Sequence, residues 1–236
     1  MLRRARKHSF GPASLACLLG IFAMAEDKSL TAIERYCSII DEIKFRIQWI
    51  KKIIHAEISI AETIGRDAGF LELRMICELI AFGCLIAHGD IKETRSGKFT
   101  GKYQADFFVK ALSALHPDFY PKPMLPAPGQ EPIPTRVCAI LRSPAPRTSG
   151  FLTKSELTTL YHACGERMHR GYLRDILNHK RIEGEFSMIG KSVDKIVRLL
   201  DYHRITLISG EEIWCAAAGG PNNEAFAAQV SAPRRV

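Results

Sequence analysis

The sequence lacks the short motifs that identify the common catalytic folds. It contains no Gly-x-x-x-x-Gly-Lys loop, no Gly-x-Gly-x-x-Gly turn, no His-Glu-x-x-His pair and no Gly-x-Ser-x-Gly elbow. These absences exclude P-loop NTPases, the usual dinucleotide-binding enzymes, zincin metalloproteases and α/β hydrolases. The cysteines show no Cys-x-x-Cys spacing, so we expect no metal site and no cofactor.

The sequence also lacks an N-terminal apolar run long enough to cross a bilayer, which requires about 20 residues. Residues 1–25 nevertheless have the parts of a secretory signal: a basic stretch to Lys7, an apolar run over residues 13–25, and small residues at Ala23 and Ala25. The alternative is that Met24 is the true start. The scattered cysteines do not form a disulfide framework, so we expect a cytoplasmic protein, with export as the alternative.

Acidic residues are absent from residues 1–23, and this concentrates the basic charge at the start of the chain. The formal net charge is +8, and residues 1–23 carry four positive charges, so the rest of the chain has 8 − 4 = +4. The part that folds is therefore only mildly basic. RNA remains a candidate partner, but the charge does not require one.

The spacing of apolar residues predicts a mainly α fold, a bundle of about five helices. A long amphipathic helix is expected from Leu30 to about Thr63, then a break at Gly65 and Gly69, then a nearly all-apolar helix from Phe70 to Ala87. The capping-box spacing of Thr153 and Glu156 predicts the start of the fourth helix. The third, fourth and fifth helices are expected at Tyr103–Leu115, Thr153–His169 and Ser187–His203.

Proline and turn residues define the remaining segments. Residues 117–149 are rich in proline and are predicted to be a loop, with a possible edge strand at Thr135–Leu141. A small C-terminal β-hairpin is expected, in which the turn Ser209-Gly210-Glu211 joins strands at Ile205–Ile208 and Ile213–Ala216. We therefore predict a single helical domain over residues 26–218 and a disordered tail over residues 219–236.

The first helix carries a regular apolar stripe, which we call the isoleucine seam. Its members recur at steps of three and four, as in a coiled coil. The sequence therefore predicts a homo-oligomer, most simply a dimer, that assembles through Ile33, Ile40, Ile43, Ile47, Ile50 and Ile54.

Three charged residues interrupt the apolar second helix: Glu72, Arg74 and Glu78. A guanidinium keeps its charge in proteins and has five hydrogen-bond donors, so a buried arginine must find acceptors. Arg74 and Glu78 are four residues apart and face the same way. We expect a buried polar network, completed by a carboxyl or carbonyl group of a neighbouring helix.

Two further groups are candidates for function. The helix-end cluster Arg167, His169 and Arg170 is expected to cap the C-terminus of the fourth helix. Just after Gly171, Arg174 and His179 have Arg-x4-His spacing, in which the imidazole acts as acid or base and the guanidinium stabilises a phosphate. The same spacing also occurs at Arg3–His8 and Arg198–His203.

The segments Leu73-Arg74-Met75-Ile76-Cys77-Glu78 and Arg167-Met168-His169-Arg170-Gly171 resemble the helical-bundle layout of HEPN-like proteins, which occur in bacterial defence and toxin–antitoxin settings. The resemblance covers roughly residues 30–203. Active members of that superfamily cleave RNA without a metal through an Arg-x4-6-His motif, which Arg174 and His179 match. The resemblance therefore implies that these two residues are catalytic.

Two functions follow from the sequence. The first is a self-associating helical interaction module without catalysis, and the alternative is a HEPN-like ribonuclease. If Arg74 is fully buried, its loss should destabilise the fold by about 3–5 kcal/mol. Loss of His179 should leave stability nearly unchanged.

Overall fold

The computed structural model describes residues 31–89, 99, 101–125, 144–168, 185–219 and 221–230. The elements described in these residues belong to one compact unit, Ala32–Val236.

The described part of the chain is mainly α, as predicted, and also contains an antiparallel sheet. Its helices are α1 Ala32–Ile54, α2 Glu62–Ala87, α3 Ala105–Leu115, α4 Lys154–Met168 and α5 Glu185–Leu200. Its strands are β1 Lys122–Leu125, β2 Ala145–Pro146, β3 Tyr202–Thr206, β4 Glu212–Ala216 and β5 Phe226–Val230. The strand order in the sheet is β2-β1-β3-β4-β5.

Helix α2 is the centre of the core. Phe70, Leu73 and Ile76 are fully buried, and the helix packs against the other four helices. This matches the nearly all-apolar sequence of its second half, because only a helix covered on most sides can bury apolar residues all round. No described helix is both long and apolar enough to cross a membrane.

The break between α1 and α2 lies at residues 55–61, not at Gly65 and Gly69 as predicted. Ala56 has a positive φ of 54° in this connection. Both glycines lie inside α2, where a Cβ on Gly65 would be 3.2 Å from Ile53 and one on Gly69 would be 2.9 Å from the Ile189 side chain. The glycines therefore allow α1 and α5 to approach α2 closely, and they do not end the helix.

The isoleucine seam is covered within the chain. Ile40, Ile43, Ile47 and Ile50 belong to the buried core, and Ile33 and Ile54 are half-buried. Together with Val197 and Leu200 of α5, three of these isoleucines line a cavity of about 210 Å³. The prediction that a second copy binds through the seam is wrong, because α1 uses this face to pack against its own core.

The sheet is larger than the predicted hairpin. Strands β3 and β4 form that hairpin, with Ile205 opposite Ile213, but β3 begins at Tyr202, so His203 lies in a strand and not at the end of α5. The predicted loop at 117–149 contains β1 and β2, and β1 pairs with β3 with Pro123 opposite His203. The possible edge strand Thr135–Leu141 lies outside the described residues.

The predicted disordered tail at 219–236 is also corrected over residues 221–230, and residues 220 and 231–236 lie outside the described residues. Residues Pro221–Asn223 form a short 3-10 turn, and β5 pairs with β4 along its full length. Helix α1 holds this segment through two polar contacts: Asp41 accepts a hydrogen bond from the Ala225 amide at 2.9 Å, and the Lys44 ammonium donates to the Asn223 carbonyl at 2.6 Å. These partners are far away in sequence, and local composition does not indicate them.

Candidate functional site

Arg74 and Glu78 lie together on α2, one turn apart. The Arg74 Nε is 3.5 Å from the Glu78 Oε1, and the two side chains are 24% and 10% exposed. The pair is therefore mostly, but not fully, removed from water. The sequence spacing alone is sufficient to bring these two charges together.

Tyr161 of α4 completes this group, and the sequence did not single it out. The Arg74 Nη2 donates a hydrogen bond to the Tyr161 hydroxyl at 2.6 Å, and the guanidinium carbon lies 4.1 Å from the centre of the Tyr161 ring. The same hydroxyl lowers the pKa of the Glu78 carboxyl group. The neighbouring helix thus supplies a hydroxyl and an aromatic face, where a carboxyl or carbonyl group was expected.

Gly165, one turn after Tyr161, makes room for the guanidinium. A Cβ at this position would lie 2.6 Å from the Arg74 Nη1, too close for any real contact. The sequence signal that indicates this close approach is a glycine in the interior of a helix, where glycine is unfavourable unless close packing requires it. We call Arg74, Glu78, Tyr161 and Gly165 the Arg74 network.

Glu72 does not belong to this network. Its Oε2 accepts a hydrogen bond at 2.8 Å from the Arg46 Nη1 of α1, and Arg46 also contacts Glu42 of its own helix at 2.7 Å. The predicted trio is therefore divided between two faces of α2. One face is joined to α4 and the other to α1.

The pKa shifts in the Arg74 network show its chemical capacity. Burial raises the pKa of Glu78 above its usual range, although Arg74 and the Tyr161 hydroxyl act in the opposite direction. Burial also raises the pKa of Tyr161, and it raises the pKa of the nearby Cys164 to about 12. The tyrosine and the thiol are therefore protonated at neutral pH. The network joins two helices and holds no activated nucleophile.

Arg167 is the described member of the helix-end cluster. Its Nη1 donates to the Ala163 carbonyl at 3.2 Å, and its Nε lies 3.5 Å from the Glu185 Oε1. Arg66 also donates to Glu185, at 3.3 Å. Arg167 and Glu185 thus bring the end of α4 next to the start of α5. The other candidate residues His169, Arg170, Arg174 and His179 lie outside the described residues.

A second Arg-x4-His match has a structural role. His203 is fully buried, its Nε2 accepts a hydrogen bond from the Tyr36 hydroxyl at 2.5 Å, and its Nδ1 donates to the Leu200 carbonyl at 2.9 Å. Burial lowers the pKa of His203 to about 4, so the imidazole is neutral. Arg198 instead donates to the Gly150 carbonyl. This match therefore fixes β3 against α1 and performs no phosphate chemistry.

The outer face of α1 exposes two aromatic side chains. Phe45 is 70% exposed and Trp49 is 40% exposed, and they are one helical turn apart. Glu42 precedes Phe45 by three residues and Lys52 follows Trp49 by three, so all four lie on one face, and both charged side chains are exposed. We call Glu42, Phe45, Trp49 and Lys52 the aromatic ridge.

Further apolar side chains are exposed on the neighbouring helix. Ile64 and Leu71 of α2 are both exposed. Leu71 directly precedes Glu72 and Phe45 directly precedes Arg46, and the Arg46–Glu72 ion pair joins the two helices at this level. Both helices therefore expose large apolar side chains.

Within the described residues, no three His, Cys, Asp or Glu side chains are grouped as a metal site requires. Comparison of the whole chain with protein-family models, with curated proteins and with solved structures found no match.

Proposed function

We propose that this protein is a helical interaction module that self-associates through the aromatic ridge of α1. The observation that carries the proposal is the exposure of Phe45 and Trp49 on a helix whose other face is fully packed. Large exposed apolar groups that are bordered by charges are typical of protein–protein contact sites.

The occupant that fits the ridge is a second copy of the same chain. If two α1 helices pack antiparallel about a two-fold axis near Ile47, then Phe45 of one copy meets Trp49 of the other. In the same arrangement Glu42 meets Lys52, because positions 42 and 52 are equally far from position 47, as positions 45 and 49 are. A two-fold interface uses the same patch on both copies, and the charges of the ridge are complementary to themselves in this arrangement.

The size of the patch indicates a weak dimer. Aromatic side chains bury about 150–250 Å² each, so the two ridges with Ile64 and Leu71 remain near the lower limit for specific interfaces. We therefore expect association that depends on protein concentration.

Light scattering across a concentration series tests the proposal. The wild type should move from monomer to dimer mass as its concentration rises, whereas Phe45→Glu should stay monomeric because a charge replaces the central contact. Ile208→Glu is the matched control, because Ile208 is an exposed apolar residue at the β3–β4 turn, away from the ridge. A monomeric wild type at all concentrations, or a dimeric Phe45→Glu variant with normal helix content, would contradict the proposal.

The alternative function is a HEPN-like metal-independent ribonuclease that acts through Arg174 and His179. One observation favours it: Arg167 and Glu185 are 3.5 Å apart, so the segment that carries both candidates begins and ends at one place, beside Arg66. This function requires that RNA is degraded in the presence of a chelator and that His179→Ala abolishes the degradation. Intact RNA after incubation with the wild type would reject it.

A further inference from the structure

The cavity of about 210 Å³ between α1 and α5 has mainly apolar walls. They include Ile40, Ile43, Ile47, Val197 and Leu200. On α1, Ile47 points about 200° away from Phe45 and Trp49 around the helix axis, because two residues separate it from each of them. The cavity is therefore separate from the aromatic ridge, which is the surface proposed for self-association.

Polar side chains also line the cavity, namely Lys44, Gln48, Lys51 and Asp201. All of them except Lys44 are exposed, so they belong to the mouth of the cavity and not to its floor. The Lys44 ammonium is already paired, because it lies 2.9 Å from the Asp41 Oδ1. Lys51 forms no ion pair with any residue that the structure describes. Lys51 is therefore the cation that is available to a ligand.

The two unlike charges of the mouth lie at opposite ends of the cavity, because α1 and α5 run antiparallel. A Cβ on Gly190, early in α5, would lie 3.9 Å from Ile54 at the end of α1, whereas β3, which follows α5, is hydrogen-bonded to the start of α1 through Tyr36. Asp201 directly follows α5 and so lines the end towards Tyr36. Lys51 is in the last turn of α1 and lines the other end. An anion held by Lys51 is therefore kept away from Asp201.

We propose that this cavity binds a free fatty acid of about eight carbons, with the carboxylate at Lys51 and the alkyl chain between α1 and α5. Burial of the chain against isoleucine, valine and leucine removes it from water, and the Lys51 ammonium and the Gln48 amide donate hydrogen bonds to the carboxylate oxygens. A cavity of about 150 Å³ holds the six carbons of benzene, so in proportion 210 Å³ holds about eight. The chains of membrane lipids are longer than this and do not fit.

The charges of the mouth distinguish this ligand from molecules of similar length. Octanoate gains both the burial of its chain and the ion pair with Lys51, whereas neutral octanol gains only the burial. Octanedioate carries a second carboxylate, and Asp201 at the far end of the cavity repels it. Octanoate should therefore bind more tightly than either of the other two.

Isothermal titration of the full-length protein with sodium hexanoate, octanoate and decanoate tests the size of the cavity. Each buried methylene group increases affinity about fourfold, so octanoate should bind about tenfold more tightly than hexanoate. Decanoate should gain less than about twofold over octanoate, because the cavity has no room to bury its last two carbons. The proposal is overturned if octanoate does not bind, or if affinity keeps rising by the same factor up to decanoate, as in non-specific adsorption.

Lys51→Gln tests the position of the carboxylate. This variant should bind octanoate about fivefold more weakly, as expected for the loss of an exposed ion pair, and should bind octanol as the wild type does. Lys52→Gln is the matched control, because Lys52 is the next residue and is also exposed, but belongs to the aromatic ridge. An equal loss of octanoate affinity in both variants, or tighter binding of octylamine than of octanoate by the wild type, would overturn the proposal.

Val197→Trp tests the position of the chain. The indole ring would fill much of the cavity, so this variant should lose the binding of both octanoate and octanol. Val197 is half-buried in the cavity wall, and circular dichroism checks that the variant keeps its helix content. A folded Val197→Trp variant that binds octanoate like the wild type contradicts the proposal, and if this variant does not fold, Lys51→Gln and the series of chain lengths decide.

Discussion

Arg74 is held by four contacts of different kinds: an ion pair with Glu78, a hydrogen bond and a ring contact with Tyr161, and a close approach to the bare backbone at Gly165. A guanidinium that cannot lose its charge must keep such contacts when it is mostly buried. Because 24% of the Arg74 side chain stays exposed, water can replace part of them. We therefore expect Arg74→Ala to destabilise the fold by about 1–3 kcal/mol, less than the loss of a fully buried pair.

Gly165→Ala tests the close approach. The new methyl group would displace the guanidinium, which is the end of a flexible side chain, from Tyr161, so we expect this variant to lower the free energy of unfolding by about 1 kcal/mol. In the Arg74→Ala background the methyl group meets no guanidinium. There the same substitution should stabilise the protein by up to about 1 kcal/mol, because alanine favours the helix over glycine.

Gly190→Ala is the matched control for this experiment. Gly190 is inside α5, and its Cβ would meet only the Ile54 side chain at 3.9 Å, an ordinary contact. It should stabilise both backgrounds equally. Urea unfolding of the variants measures all of these effects, and a Gly165→Ala effect of the same sign with and without Arg74 would contradict the described contact.

At the scale of elements, the buried hydrogen bond between Tyr36 of α1 and His203 of β3 joins the helices to the sheet. The pKa of His203 is about 4 in the folded protein because burial disfavours the imidazolium, and it is 6.5 for an unperturbed histidine. The folded state therefore prefers the neutral ring. The contribution of the buried, neutral His203 to stability is complete above pH 6.5 and is lost as the pH falls from 6.5 towards 4.

This difference predicts acid sensitivity. Between pH 7 and pH 5, His203 should reduce the free energy of unfolding by about 2 kcal/mol, at roughly 1.36 kcal/mol per pH unit below 6.5. His203→Gln has no titrating ring, so its stability should fall by about that much less over the same range, even if it is less stable at pH 7. Urea titrations at both pH values measure the two slopes, and equal slopes would show that His203 is protonated as easily in the folded as in the unfolded protein.

The sequence predicts those elements whose contacting residues lie close together in the chain, and it does not predict those whose contacts come from distant residues. The capping box formed as expected: the Thr153 hydroxyl accepts from the Glu156 amide at 3.3 Å, and the Glu156 carboxylate accepts from the Thr153 amide at 2.9 Å. The β3–β4 hairpin is similarly local. Strands β1 and β5 could not be predicted, because their residues gain strand structure only from β3, β4 and α1.

The same distinction applies to the Arg74 network. The Arg74–Glu78 pair follows from one helical turn, but Tyr161 is 87 residues from Arg74, and no local pattern connects them. Gly65, Gly69 and Gly165 carry a signal that is ambiguous in sequence, because a glycine either ends a helix or permits a close approach. Only the residues on the facing helices decide between the two.

At the scale of the whole molecule, the two faces of α1 have separate roles. The isoleucine seam belongs to the core, and the aromatic ridge is open to solvent. Periodicity identified the apolar stripe correctly but could not tell whether this chain or a second copy covers it. The opposite face, with fewer apolar residues, is the one that we propose as the surface for a partner.

The central claim, antiparallel self-association through the aromatic ridge, is tested most directly by charge reversal. Glu42→Lys and Lys52→Glu should each weaken the dimer, because two like-charged pairs then face each other across the two-fold axis. When the two variants are mixed, one copy has lysine at both positions and the other has glutamate at both, so each pair across the axis again joins opposite charges. Sedimentation velocity should therefore show a heterodimer that forms about as well as the wild-type dimer. A mixture that stays as monomeric as its separate components, or single variants that dimerise like the wild type, would contradict this account.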